Sequence, residues 1–161
     1  ELLAIYNASQ TKPRVTFYEK WEQVQEIYFD ILREKQGVVG WSDYEYSRKV
    51  MGAYYEEFAR ERAKRNILYR AIARDTVAAR ERVRFSRRHL REVKLTTSGD
   101  LTTELYLYGN KIVHLSFRSN PIFAVMIEDT SIAATMRLIW QDAWDKLPEI
   151  VLSTEATENL D

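Results

Sequence analysis

A chain of 161 residues with 45% hydrophobic and 30% charged side chains falls within the size of one domain, so one core and at most a short appendage are expected. No apolar run approaches the roughly 18 to 20 residues that cross a bilayer, and the amino terminus lacks the charged, apolar and small-residue order of a signal peptide, so a cytoplasmic chain with no membrane partner is expected. With no cysteine, a disulfide framework, a thiol nucleophile and a Cys-ligated metal are all excluded, as suits a reducing compartment. The net charge is zero but uneven: residues 60 to 94 hold 13 Lys or Arg against 4 Asp or Glu, and the remainder holds 11 against 20. That block reads either as a surface for nucleic acid or as solvated arginines on helices running over a sheet, their acidic partners elsewhere in the fold.

Glu1 to Ser9 is helix-compatible and begins without methionine, so residues 1–12 are expected to be a linking helix from an upstream module. Lys12-Pro13 breaks any helix and delivers a first strand over Arg14 to Glu19, where Val15 and Phe17 alternate with polar neighbours. Val24, Ile27, Tyr28, Ile31 and Leu32 follow at helical spacing and end near Lys35 and Gly37. Val38 to Trp41 is a short buried strand, and Ser42 or Asp43 caps a second helix that runs to Asn66 through Val50, Tyr54 and Phe58. Ile67 to Ile72 is again of strand length, which makes the order β-α-β-α-β and predicts a parallel sheet. Asp75-Thr76 caps a basic third helix through Arg91.

After Val93 the periodicity turns to alternation: Glu104 to Tyr108, the Gly109-Asn110 turn and Lys111 to Phe117 form a hairpin. Ile122 to Ile127 adds a strand, and Ile132, Met136, Ile139, Trp140, Ala143, Trp144 and Leu147 give a closing helix with a wide apolar face. From Pro148 to Asp161 the chain reads as a flexible acidic tail, which leaves residues 13–147 as the domain.

Several segments, in order and spacing, resemble the regulatory domain of TrmB-type transcriptional regulators over residues 2 to 147. They are Tyr6-Asn7, Lys12-Pro13-Arg14-Val15 and Phe17-Tyr18-Glu19; Arg62 to Ile67 before a strand; Tyr108-Gly109-Asn110-Lys111-Ile112 as a hairpin; and Pro121-Ile122 through Val125 to Glu128 before a helix with Trp140 and Trp144. The resemblance implies a three-layer, phospholipase D-like α/β fold with a mixed sheet, an intracellular homodimer, and control of transcription through an upstream winged helix that reads DNA. A small-molecule effector is implied too, although longer members bind sugar through an additional carboxy-terminal domain for which this chain is too short. Catalytic members of the phospholipase D superfamily carry His-x-Lys and, four residues later, Asp before the hairpin turn. With Tyr108-Gly109 at the Asp-Gly place, the His and Lys positions hold Leu101 and Thr103. A non-catalytic domain follows.

The remaining chemistry is sparse. His89 and His114 lie far apart without metal-ligand spacing; His89 reads as a solvated helix residue and His114 as a satisfied strand residue. No Gly-rich phosphate loop or Gly-x-Ser-x-Gly elbow occurs, so no cofactor, metal or catalytic residue is assigned. Open α/β sheets bind ligands outside the carboxyl ends of their parallel strands, which here means Tyr18 and Glu19, Trp41, Ser42 and Asp43, and Arg74 with Asp75. Helix capping accounts equally well for Ser42, Asp43 and Asp75. Three functions compete: an effector-sensing and dimerisation domain of a TrmB-like regulator, a nucleic-acid binder using residues 60–94, and a phosphodiesterase with a non-standard site around His114.

Overall fold

The computed structural model describes residues 12–150, so nearly all of the expected linking helix and most of the expected acidic tail lie outside the described residues. Within them the chain runs β1 (Arg14–Glu19), α1 (Lys20–Glu34), β2 (Val38–Ser42), α2 (Tyr44–Met51), α3 (Tyr54–Lys64), β3 (Tyr69–Arg74), α4 (Val77–Arg84), β4 (Arg91–Thr96), β5 (Glu104–Tyr108), β6 (Lys111–Ser116), β7 (Phe123–Glu128) and α5 (Thr130–Asp145). The strands form one mixed sheet in the order β1-β7-β6-β5-β2-β3-β4, with β2, β3 and β4 parallel and every other pair antiparallel.

Helices cover both faces and make three layers. On one face α1 buries Val24, Ile27, Tyr28 and Ile31 against Tyr106, Val113, Leu115 and Met126, with α2, α3 and α4 beside it. On the other, α5 lays Ala133, Trp140 and Trp144 on Val39, Ile72, Leu105, Leu107 and Ile112. The two indoles stack at 5.0 Å, and the Trp140 indole N–H donates to the Gly40 carbonyl at 2.9 Å. Burying each tryptophan contributes on the order of 4 to 6 kcal/mol before entropy is counted. A two-residue turn joins β5 to β6, with Gly109 at φ 53°.

Three expectations are corrected. β1 does not join the expected parallel sheet with β2 and β3: it pairs antiparallel with β7 at the sheet edge, with three strands between it and β2, and the parallel block is β2-β3-β4. An edge place explains its alternation, because Val15 and Phe17 face outward, Phe17 being 72% exposed, while Tyr18 packs inward. The helix expected to run to Asn66 is two, broken at Gly52, whose φ of 56° ends α2. The basic helix expected through Arg91 stops at Arg84, and Arg91–Thr96 is a strand. Its period is masked because Arg91 and Lys94 are buried along with Val93.

The basic block is therefore partly core: Arg62, Arg82, Arg91 and Lys94 are all buried. Arg62 donates to the carbonyls of Ile67, His89 and Leu90, and so pins the turns that start β3 and β4, at whose bends Asn66 and Leu90 have φ of 57° and 46°. Burial, reinforced by Arg91, pushes its pKa down to about 9, so it stays charged at neutral pH. Replacing it with Met relieves that desolvation but orphans three carbonyls at roughly 1 to 3 kcal/mol each. A net loss of about 2 to 3 kcal/mol in urea unfolding is expected for R62M; an unchanged midpoint would mean that the guanidinium does not hold these turns.

Candidate functional site

The carboxyl ends of β2 and β3 lie next to the amino end of β5 and the loop after β6, because β5 runs antiparallel to β2. Asp43 caps α2, its carboxylate accepting from the Tyr46 N–H at 3.5 Å, and its own N–H donates to Glu104 Oε1 at 2.9 Å. The other Asp43 oxygen takes Arg118 Nε at 2.9 Å. Arg118 grips Asp100 with both terminal nitrogens, at 3.0 and 3.2 Å, and Arg74 reaches the same carboxylate at 2.8 Å. The Arg118 guanidinium lies 4.5 Å over the Tyr46 ring. Hydrogen bonding to Arg118 holds the Asp100 carboxyl below its ordinary range. Two cations face two carboxylates, so this network is neutral and closed.

Of the residues expected here, Ser42, Asp43 and Arg74 come together around a space of about 30 Å3 that Leu101 and Arg118 also line. That is room for one water molecule. Ser42 is buried and shares a hydrogen bond with Tyr69. Asp75 adjoins the site but is taken by Arg80, at 2.6 Å to each oxygen, and Thr76 rather than Asp75 caps α4. Trp41 turns to the opposite face and packs beside α5. Glu19 ends β1 at the far edge and stays exposed.

Asp100, Glu104 and Arg118 escape the sequence reading. Glu104 is buried beneath the network, where the Tyr106 hydroxyl donates to it and burial pushes its carboxyl up to about 8, so at neutral pH it largely holds a proton. Strand alternation is the available signal: Glu104, Tyr106 and Tyr108 share one face of β5 and Leu105 and Leu107 the other, so a strand buried on both faces must carry its glutamate inside.

No protein-family model and no curated protein sequence matches the chain. Solved structures that superpose on it include Nuc, a phospholipase D family member from Salmonella typhimurium, with TM-score 0.65 and 12% identity over 88% of this chain and 100% of that one. NucT from Helicobacter pylori gives 0.60 and 8% over 86% and 100%. TrmBL2, an archaeal chromatin protein that binds DNA, gives 0.61 and 12% over 92% of this chain and 58% of that one. The fold is phospholipase D-like. At these identities the likeness is one of fold, and this chain spans 58% of TrmBL2's length.

Leu101, which the resemblance in sequence puts at the place of a nucleophilic histidine, lines the small space. His114 is exposed on the α5 face of β6, opposite Leu105 and away from this network. His89, expected in solvent, is 4% exposed; burial and then Arg82 push its pKa down to about 4, which leaves it neutral. Among the described residues no three His, Asp or Glu side chains are grouped to hold a metal, and no helix is long and apolar enough to cross a membrane.

Proposed function

We propose that this chain is a non-catalytic, effector-sensing and dimerisation domain of a TrmB-like transcriptional regulator, acting in the cytoplasm. The observation that carries the reading is the carboxyl end of the sheet. Leu101 stands where phosphodiester chemistry would need a nucleophile, and Arg74 and Arg118 are spent on Asp100 and Asp43 instead of being free to neutralise a phosphate. DNA would be read by a winged helix upstream of residue 1, and the encoding frame should extend by about 70 to 100 residues to hold it, an ordinary small-domain length. Ser42, Asp43 and Arg74, which line the small space at this end of the sheet, would supply the polar contacts to an effector bound there.

Self-association is drawn to the α5 face. Val15 and Phe17 lie there, opposite Ile127 and Val125, and on α5 Leu138 and Ile139 are 73% and 58% exposed. Trp140 and Trp144 are spent in the chain's own core and are not available for pairing. Sedimentation equilibrium is expected to give a dimer that L138E converts to monomer while its far-UV circular dichroism is unchanged. A monomer at every concentration, indifferent to sugars and anionic metabolites, would contradict the reading.

Direct nucleic-acid binding is the second reading. It is favoured by exposed Arg60, Arg65, Arg84, Arg87 and Arg88, which have no carboxylate partner among the described residues. It expects affinity for duplex DNA to fall with salt at a log-log slope of about −3 to −5, near 0.9 per phosphate neutralised. Absent or salt-indifferent binding removes it.

A further inference from the structure

Away from the sheet's carboxyl end, α2, α3 and α4 enclose an open cleft of about 320 Å3. Its walls are Tyr55 and Phe85, and Arg48, paired with Glu81, stands at its mouth with Arg84. The inner surface carries Arg82 and Tyr44, 4% and 5% exposed. Arg82 lies over the Tyr55 ring at 4.2 Å and gives only Nη1 to Glu56, at 2.7 Å. Its Nε and Nη2, and the Tyr44 hydroxyl, have no partner among the described residues. Behind Tyr44, the buried Arg91 lies 5.5 Å from that ring with Nε and Nη1 likewise unpartnered. Of these two buried guanidiniums only Arg82 has a carboxylate partner among the described residues, Glu56, and the nearby buried Glu104 mostly keeps its proton.

Buried donors are seldom left unpaired, and a guanidinium edge is shaped to hold two oxygens of one anion. We propose that this cleft binds a small molecule through an oxyanion head, phosphate or carboxylate, held by the free edge of Arg82 and by the Tyr44 hydroxyl. A compact body of a few carbons lies against Tyr55 and Phe85, since the volume is at the lower end for small-molecule sites. A duplex backbone does not reach an arginine so nearly covered. The inference deepens the sensing reading and rests on it for its biological meaning, because Tyr44 follows Asp43 and a ligand on Tyr44 pulls on the start of α2. The binding itself does not require that reading.

The test is titration of the full chain with inorganic phosphate and, separately, with succinate at constant ionic strength set by chloride, observed through the arginine Nε–H resonances by NMR. The Arg82 resonance is expected to shift saturably with at least one oxyanion and not with chloride. Affinity should fall about tenfold or more in R82M and several-fold in Y44F, and stay unchanged in K146M, just past the end of α5 on the other face of the sheet. The better of the two probes separates a phosphate from a carboxylate head. If R82M does not fold, Y44F and the Arg82 resonance of the unaltered chain decide. No saturable shift, equal affinity in R82M or Y44F, or a shift driven by duplex DNA and not by either oxyanion would overturn the site. Oxyanion binding that leaves the sedimentation unchanged would uphold the site and sink the sensing reading instead.

Discussion

Replacing Gly40 with alanine is expected to cost at least about 4 kcal/mol of unfolding free energy, the range reached only when core backbone is forced apart. A β-carbon on Gly40 would lie 1.8 Å from the Leu105 carbonyl oxygen, and 3.0 Å from its carbonyl carbon. The obstacle is backbone, so no side chain can swing away, and relief requires β2 and β5 to separate in the middle of the sheet. Gly40's own carbonyl accepts from the Trp140 indole N–H, so moving β2 also unseats α5 and the stacked tryptophans. The β2–β5 pairing further brings Asp43 to Glu104, so the strand shift dismantles the carboxyl-end network. Urea unfolding of G40A against the parent chain reads the effect. A loss under about 1 kcal/mol, the ordinary cost of a point change, would mean that β2 and β5 do not approach this closely.

Glu104 supplies the second large effect, and its sign depends on pH. Burial raises the carboxyl in the folded chain to about 8 from an ordinary 4.5, outweighing the hydrogen bonds from Tyr106 and the Asp43 N–H that act in the opposite direction. Between those two values the folded state binds the proton more tightly than the unfolded state does. The associated stability is complete below pH 4.5 and drains away as pH rises through about 8. Glutamine keeps the shape, accepts from Asp43 and cannot ionise. E104Q is therefore expected to match the parent near pH 4 and to exceed it by on the order of 5 kcal/mol at pH 9, since each tenfold difference in proton affinity between the two states is worth about 1.4 kcal/mol. The measurement is denaturant unfolding of both chains across that range. Parallel pH profiles would show that Glu104 is charged in the fold and paired.

Local pattern announces most of the elements. The helical spacing from Val24 to Leu32, the alternation about Gly109-Asn110 and the apolar face carrying Trp140 all appear where periodicity places them. What periodicity does not contain is which strand neighbours which: Val15 and Phe17 alternate as well for an edge strand as for an inner one, and only β7 decides the matter. β4 escapes because a strand with Arg91 and Lys94 inside breaks the rule that charge lies outward.

The candidate site divides along the same line. Ser42, Asp43 and Arg74 are legible because they end strands that feed helices. Asp100 and Arg118 are not, since they sit in loops 18 residues apart and meet only because β5 and β6 fold back on each other. Arg82 and Arg91 look in sequence like surface charge, although both are buried and Arg82 lines the cleft between α2, α3 and α4.

A phospholipase D-like frame used for binding rather than for hydrolysis is tested most directly by turnover of a chromogenic phosphodiester. The purified chain is assayed alongside H114A prepared identically. No turnover above the buffer rate is expected from either protein. Turnover that follows the chain through purification and disappears in H114A would contradict the binding role and restore the enzyme reading.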